Sequence, residues 1–120
     1  MKLYESAQDY LESILVLTKK EKNVRSIDLA NYMGFTKQSI SRAIKKLKED
    51  ELITVDANGY LSLTEKGNDI ASKIYDRHLV ITKFLMSIGV PEDVALQDAC
   101  KMEHDISEDA FNAFKNLLNK

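Results

Sequence analysis

The sequence has 120 residues, 44% hydrophobic and 30% charged, with 17 Lys and Arg against 19 Asp and Glu for a net charge of −2. A chain this long hides about two thirds of its unfolded surface, enough for one small domain or two very small ones, which excludes a large multi-domain enzyme with a deep substrate cavity. No window reaches the ~18 to 20 apolar residues of a membrane span, MKLYESAQDY puts acids where a secretory leader needs an apolar run, and the single cysteine, Cys100, excludes an internal disulfide framework. A cytoplasmic protein with no membrane partner is expected.

Long stretches of helical period lie between one proline and four glycines, so the chain reads as mainly α. A first helix is expected from about Ser6 to Lys19, with Tyr10, Leu11, Ile14, Leu15 and Leu17 on its apolar side. Ser26 reads as the N-cap of a short helix, Ile27 to Met33, ended by Gly34. Thr36 can cap a third helix from Lys37 to about Glu51, with Ile40, Ala43, Ile44 and Leu47 inward. Two short helices joined by a tight glycine turn form a helix-turn-helix. ITVDANGYLSLT then reads as a hairpin, or wing, turning at Asn58-Gly59, the pair best suited to a type I′ turn.

From Thr64 or Glu65 a long helix is expected to about Ile88, with Ile70, Ile74, His78, Ile81, Leu85 and Ile88 on one stripe. Gly89 ends it, Pro91 starts another that reaches about Asp105, and Ser107 opens a last one with Phe111, Phe114, Leu117 and Leu118 apolar. A boundary near Gly67 divides the chain into residues 1–66, a winged helix-turn-helix, and residues 67–120, a small all-helical unit that needs self-association for stability.

Residues 36–48 carry Lys37, Arg42, Lys45, Lys46 and Lys48 and no acid, a local +5 that leaves −7 for the rest. In a helix-turn-helix the second helix enters the major groove. That places Thr36, Lys37, Gln38, Ser39, Ser41 and Arg42 on the groove side, with Gln38 suited to adenine, Arg42 to guanine, and Lys45 and the hydroxyls to phosphates. The same charges on an ordinary solvated helix face would have no partner. The conjunction of capped helix, glycine turn, acid-free basic helix and hairpin favours DNA.

Cys100, Glu103 and His104 are spaced i, i+3, i+4 and fall within an arc of about 100° on one helix face. Asp9 and Glu12 stand three apart on the first helix, and His78 is the polar residue on the long helix's apolar stripe. Together they could offer carboxylates, imidazoles and a thiol to one or two divalent cations. Each also has a plainer use: a hydrogen-bonded core histidine, a small buried thiol, and acids at the positive end of a helix. Asp98, Asp105 and Glu108 read as solvated or dipole-complementing acids. Catalysis is not expected, since Cys100 and His104 come with no nucleophile-elbow or oxyanion signature.

With these residues the chain resembles the metal-dependent repressors typified by the diphtheria toxin repressor and the manganese transport regulator. The likeness runs through DYLE (Asp9 to Glu12), LTEKG (Leu63 to Gly67), RHLVITKFLMSIGV (Arg77 to Val90) and ACKMEHDIS (Ala99 to Ser107). By that resemblance Asp9, Glu12, His78, Glu103 and His104 match metal ligands of the manganese regulators one by one, while Cys100 replaces a glutamate. The iron-responsive branch has cysteine there but methionine in place of Asp9, so the set is a hybrid. His78 also matches a ligand of that branch's second site, but Thr82 and Leu96 stand where its partners belong, and no such site is expected. Oxygen ligands favour Mn(II), and a thiolate shifts preference towards Fe(II), Co(II) or Zn(II). Relative to the family, the chain lacks an SH3-like third domain and is expected to lack the last dimerisation or bracing helix.

The resemblance implies a winged helix-turn-helix DNA-binding domain followed by a helical metal-binding and dimerisation domain. The expected protein is a homodimer that binds a pseudo-palindromic double-stranded operator when loaded with Mn(II) or Fe(II), with Co(II) or Zn(II) as substitutes in vitro, and represses metal-uptake genes. Two alternatives come from the residues themselves. One is a winged-helix regulator controlled by an organic ligand or by Cys100 oxidation. The other is a metal-buffering or protein-interaction module with no DNA role.

Overall fold

The computed structural model describes residues 5–119; the first four residues, part of the opening read above for a leader, and Lys120 lie outside the described residues. The order is α1 (Glu5–Lys20), β1 (Val24–Arg25), α2 (Ser26–Met33), α3 (Lys37–Glu49), β2 (Ile53–Val55), β3 (Tyr60–Leu63), α4 (Glu65–Ser87), α5 (Glu92–Met102) and α6 (Glu108–Leu118). The fold is therefore mainly α, as expected. The chain divides into two compact units, residues 1–72 and 73–120.

In the first unit the stripe of α1 is buried through Leu11, Ile14, Leu15 and Leu17, and packs with Leu29 of α2 and Ile40, Ile44 and Leu47 of α3 in one core. α2 ends where the period predicts, with Gly34 left-handed at φ 71° and its N–H donating to the Ala30 carbonyl. Its start differs. Arg25, not Ser26, is the N-cap, because Arg25 is already extended as the last residue of β1; the Asp28 carboxylate accepts the Arg25 N–H at 2.9 Å. Thr36 caps α3, its hydroxyl oxygen accepting the Ser39 N–H at 3.1 Å.

The expected α3 end at Glu51 is corrected to Glu49, with Asp50 as C-cap and Glu51 left-handed at φ 60°. The sheet has the order β1-β3-β2, antiparallel throughout, with Val24 opposite Leu61 and Ile53 opposite Leu63. The wing exists, but its turn is not type I′, which needs positive φ at Asn58 and Gly59 alike; only Gly59 has it. Asp56 explains why. Its carbonyl accepts the Gly59 N–H, and its carboxylate accepts those of Asn58 and Tyr60 at 2.8 and 2.9 Å, closing a longer turn that ends in a left-handed glycine. Gly67 in α4 is fixed by contact: a Cβ there would meet the Leu52 carbonyl oxygen at 2.0 Å.

In the second unit Ile81, Ala99 and Phe111 form a buried core, with Val80, Leu85, Met102, Ile106 and Phe114 packed against it. Phe84 stacks on Phe114 with ring centres 4.2 Å apart. Ser107 caps α6 by accepting the Ala110 N–H at 3.1 Å. Two residues assigned to inward stripes are not inside: Ile88, beyond the last turn of α4, is 61% exposed and Leu117 54%. α5 also stops earlier than expected, at Met102, so Glu103 is its C-cap and His104 lies in the turn that follows.

Candidate metal centre and nucleic-acid interface

The second unit brings four of the expected ligands together. His78 projects from α4, Cys100 from the last turn of α5, and Glu103 and His104 from its end. The shared helix face predicted for the triplet is thus a helix turn plus its unwinding end, with Cys100 in the last turn, Glu103 at the C-cap and His104 in the turn beyond. The His78 Nδ1 lies 3.0 Å from Glu103 Oε2 and 3.8 Å from Cys100 Sγ, and ligand atoms of His78, Cys100 and Glu103 all lie within 4.8 Å of one another. His104 Nε2 is 3.4 Å from Glu103 Oε1.

Burial makes this cluster costly without a cation. Glu103 is 1% exposed and the His104 side chain 3%, and Glu103 Oε1 has no hydrogen-bond partner among the described residues. A buried carboxylate with one oxygen unsatisfied is destabilising unless a positive charge meets it. One thiol, two imidazoles and a carboxylate are donors for a divalent transition ion. The neighbours also act on His78, whose pKa is pushed up to about 10, first by the hydrogen bond to Cys100 and then by that to Glu103, against burial. Thr82 is buried, and its hydroxyl donates to the His78 carbonyl at 2.7 Å, so it is already used within α4. Leu96 is exposed.

Asp9 and Glu12 belong to the first unit, half-buried and one turn apart on α1. Arg77, which sequence reasoning missed, donates to the main-chain carbonyls of Glu103 and Ile106, at 3.0 and 3.1 Å. No local pattern marks it, because its partners lie 26 and 29 residues further on.

α3 turns a different chemistry outward. Thr36, Lys37, Gln38, Ser41, Arg42 and Lys45 are exposed, whereas Ser39 is half-buried and its N–H and hydroxyl are both bonded to Thr36. Lys46 pairs with Asp50 at 3.5 Å, while 71% of its side chain stays exposed. The +5 stretch is therefore a solvent-facing cationic ridge on a helix-turn-helix, with its apolar side in the core.

Residues 2–61 match the iron dependent repressor, N-terminal DNA binding domain, and residues 64–120 match the iron dependent repressor, metal binding and dimerisation domain. The chain belongs to the iron-dependent repressor family. Family members are metal-dependent, DNA-binding transcriptional regulators. Relatives include the transcriptional regulator MntR of Escherichia coli, 30% identical over 97% of this chain and 75% of its own. An uncharacterised helix-turn-helix-type regulator of Methanocaldococcus jannaschii is also 30% identical, over 97% of this chain and 94% of its own. Among solved structures, the manganese regulator SloR superposes with a TM-score of 0.82 at 28% identity, over 99% of this chain and 55% of its own. The chain thus spans about half the length of that structure. Among the described residues no helix is long and apolar enough to cross a membrane.

Proposed function

We propose that this iron-dependent repressor family member is a homodimeric, cytoplasmic repressor that binds a pseudo-palindromic operator once Mn(II) or Fe(II) occupies its metal centre, and that it silences metal-uptake genes. The observation that carries the reading is the Glu103 carboxylate, buried with one oxygen unpartnered between two imidazoles and a thiol. His78, Cys100, Glu103 and His104 would hold the ion, and on the family resemblance Asp9 and Glu12 belong to the same ligand set. The ion supplies positive charge where these donors converge. The manganese named for SloR and the iron in the family's name support the two metals. On the DNA side Thr36, Lys37, Gln38, Ser39, Ser41 and Arg42 lie towards the groove, with Gln38 and Arg42 reading base edges and Lys45 and the hydroxyls serving the phosphates.

The test is fluorescence anisotropy of genomic fragments with chelator-stripped protein, titrated with Mn(II), anaerobic Fe(II), Co(II) and Zn(II). At least a tenfold gain in affinity, about 1.4 kcal/mol, is expected with one physiological metal. Glu103→Ala and His104→Ala should abolish that gain without unfolding the protein; an unchanged metal response would sink the site assignment. One observation favours a second reading: Cys100 is exposed beside His78, which suits control by thiol oxidation. DNA binding that ignores chelator yet falls with peroxide would establish it instead.

A further inference from the structure

Arg77 and His78 follow one another on α4 and reach the two ends of the same residue. His78 Nδ1 stands 3.0 Å from the Glu103 carboxylate, while Arg77 Nη1 donates to the Glu103 main-chain carbonyl at 3.0 Å and to that of Ile106 at 3.1 Å. Arg77 Nη2 pairs with Glu108 at 3.1 Å, and the guanidinium carbon lies 5.2 Å from the centre of the Phe111 ring. The Arg77 side chain is only 18% exposed. A helix end leaves its last carbonyls without helical donors, and a guanidinium, with a rigid fork of N–H groups, can take more than one of them.

We infer that Arg77 is a positioning residue of the metal centre: it clamps the Glu103–Ile106 turn to α4 and so holds the Glu103 carboxylate beside His78 and Cys100 before any ion arrives. The inference rests on reading the cluster as a metal centre. The Glu103 carboxylate does not hold its own place well, since one of its oxygens is buried without a hydrogen-bond partner among the described residues. Freed at the main chain, the turn would swing outward and solvate that carboxylate. With its carbonyl anchored, the residue keeps only side-chain freedom, and an incoming ion orders fewer groups. Partners behind metal ligands raise affinity in this way, and losing one typically costs 10- to 100-fold.

The experiment titrates the chelator-stripped full chain with Co(II), following calorimetry and the thiolate-to-cobalt absorption from Cys100. Arg77→Met keeps an unbranched apolar stem and removes the donors; it should weaken Co(II) binding at least tenfold and change that absorption. Glu108→Gln removes the ion pair and leaves the carbonyl bonds, so its affinity should stay within about twofold. Arg77→Met with wild-type affinity overturns the inference alone. Wild-type Co(II) binding that is indifferent to Glu103→Gln overturns the metal-centre reading and the inference with it. Should Arg77→Met fail to fold, amide hydrogen exchange of the wild type decides. The amides of Glu103, Asp105 and Ile106, bonded to Ala99 and Met102 carbonyls, should be as protected without metal as with Co(II). Protection that appears only with Co(II) overturns the clamp.

Discussion

Glu103 and His78 are set against the usual logic of a protein interior. A carboxylate is sealed away with half its hydrogen-bonding capacity unused, and the imidazole beside it is driven to hold a proton, its pKa raised to about 10 by Cys100 first and Glu103 second. In the metal-free protein that proton is the cation of the cluster. A pKa raised from 6.5 means its contribution to stability is fully present below about pH 6.5 and is lost as pH rises through about 10. An ion must displace the proton, so metal affinity should climb with pH between those values, by up to about tenfold per pH unit, and metal binding should release protons. Calorimetry at pH 7.5 in two buffers of different ionisation enthalpy checks this. A heat independent of the buffer would mean that His78 is not a ligand.

α3 owes its role to the division between its two sides, with Ile40, Ile44 and Leu47 buried and the basic residues in solvent. Arg42→Ala should cost about 1–3 kcal/mol of operator affinity at saturating metal and relax base preference, whereas Lys45→Ala should weaken all sequences alike and lower the salt slope by about one. Equal losses on operator and random DNA for Arg42→Ala would remove it from base reading.

A second constraint lies at the start of α4, where Gly67 faces the Leu52 carbonyl. Because the obstacle is main chain, Gly67→Ala should destabilise the fold by about 3 kcal/mol or more, read as a lower thermal midpoint. These elements were legible in the sequence wherever a local signal suffices. Thr36, Gly34 and Ser107 mark helix ends through their own hydroxyl or backbone freedom. What was not legible depends on distant partners: β1 exists only by pairing with β3, Asp56 overrides the Asn-Gly preference, and Ile88 and Leu117 follow the apolar period yet stay exposed. The site was half legible in the same sense. Ligand types showed in the spacing, but the clamp from Arg77 did not.

At the scale of the whole molecule, metal can govern DNA binding only if the DNA-binding and metal-binding domains are energetically coupled, and coupling is reciprocal: operator must raise metal affinity by the factor by which metal raises operator affinity. Exposed Leu79, Met86, Ile88, Val94, Leu96 and Leu117 in the second unit are apolar surface suited to joining two copies. His78, Cys100 and Glu103 come together within the second unit, so in the proposed reading metal capture and metal signalling are separable. Asp9→Ala and Glu12→Ala should therefore leave Co(II) bound, with its thiolate absorption intact and its affinity reduced, while DNA affinity no longer responds to metal. Parallel cobalt titrations with and without operator, and operator titrations with and without cobalt, measure both arms. If both variants keep the wild-type metal response on DNA, neither Asp9 nor Glu12 is a ligand and the coupling must run through the fold of the metal-binding domain itself.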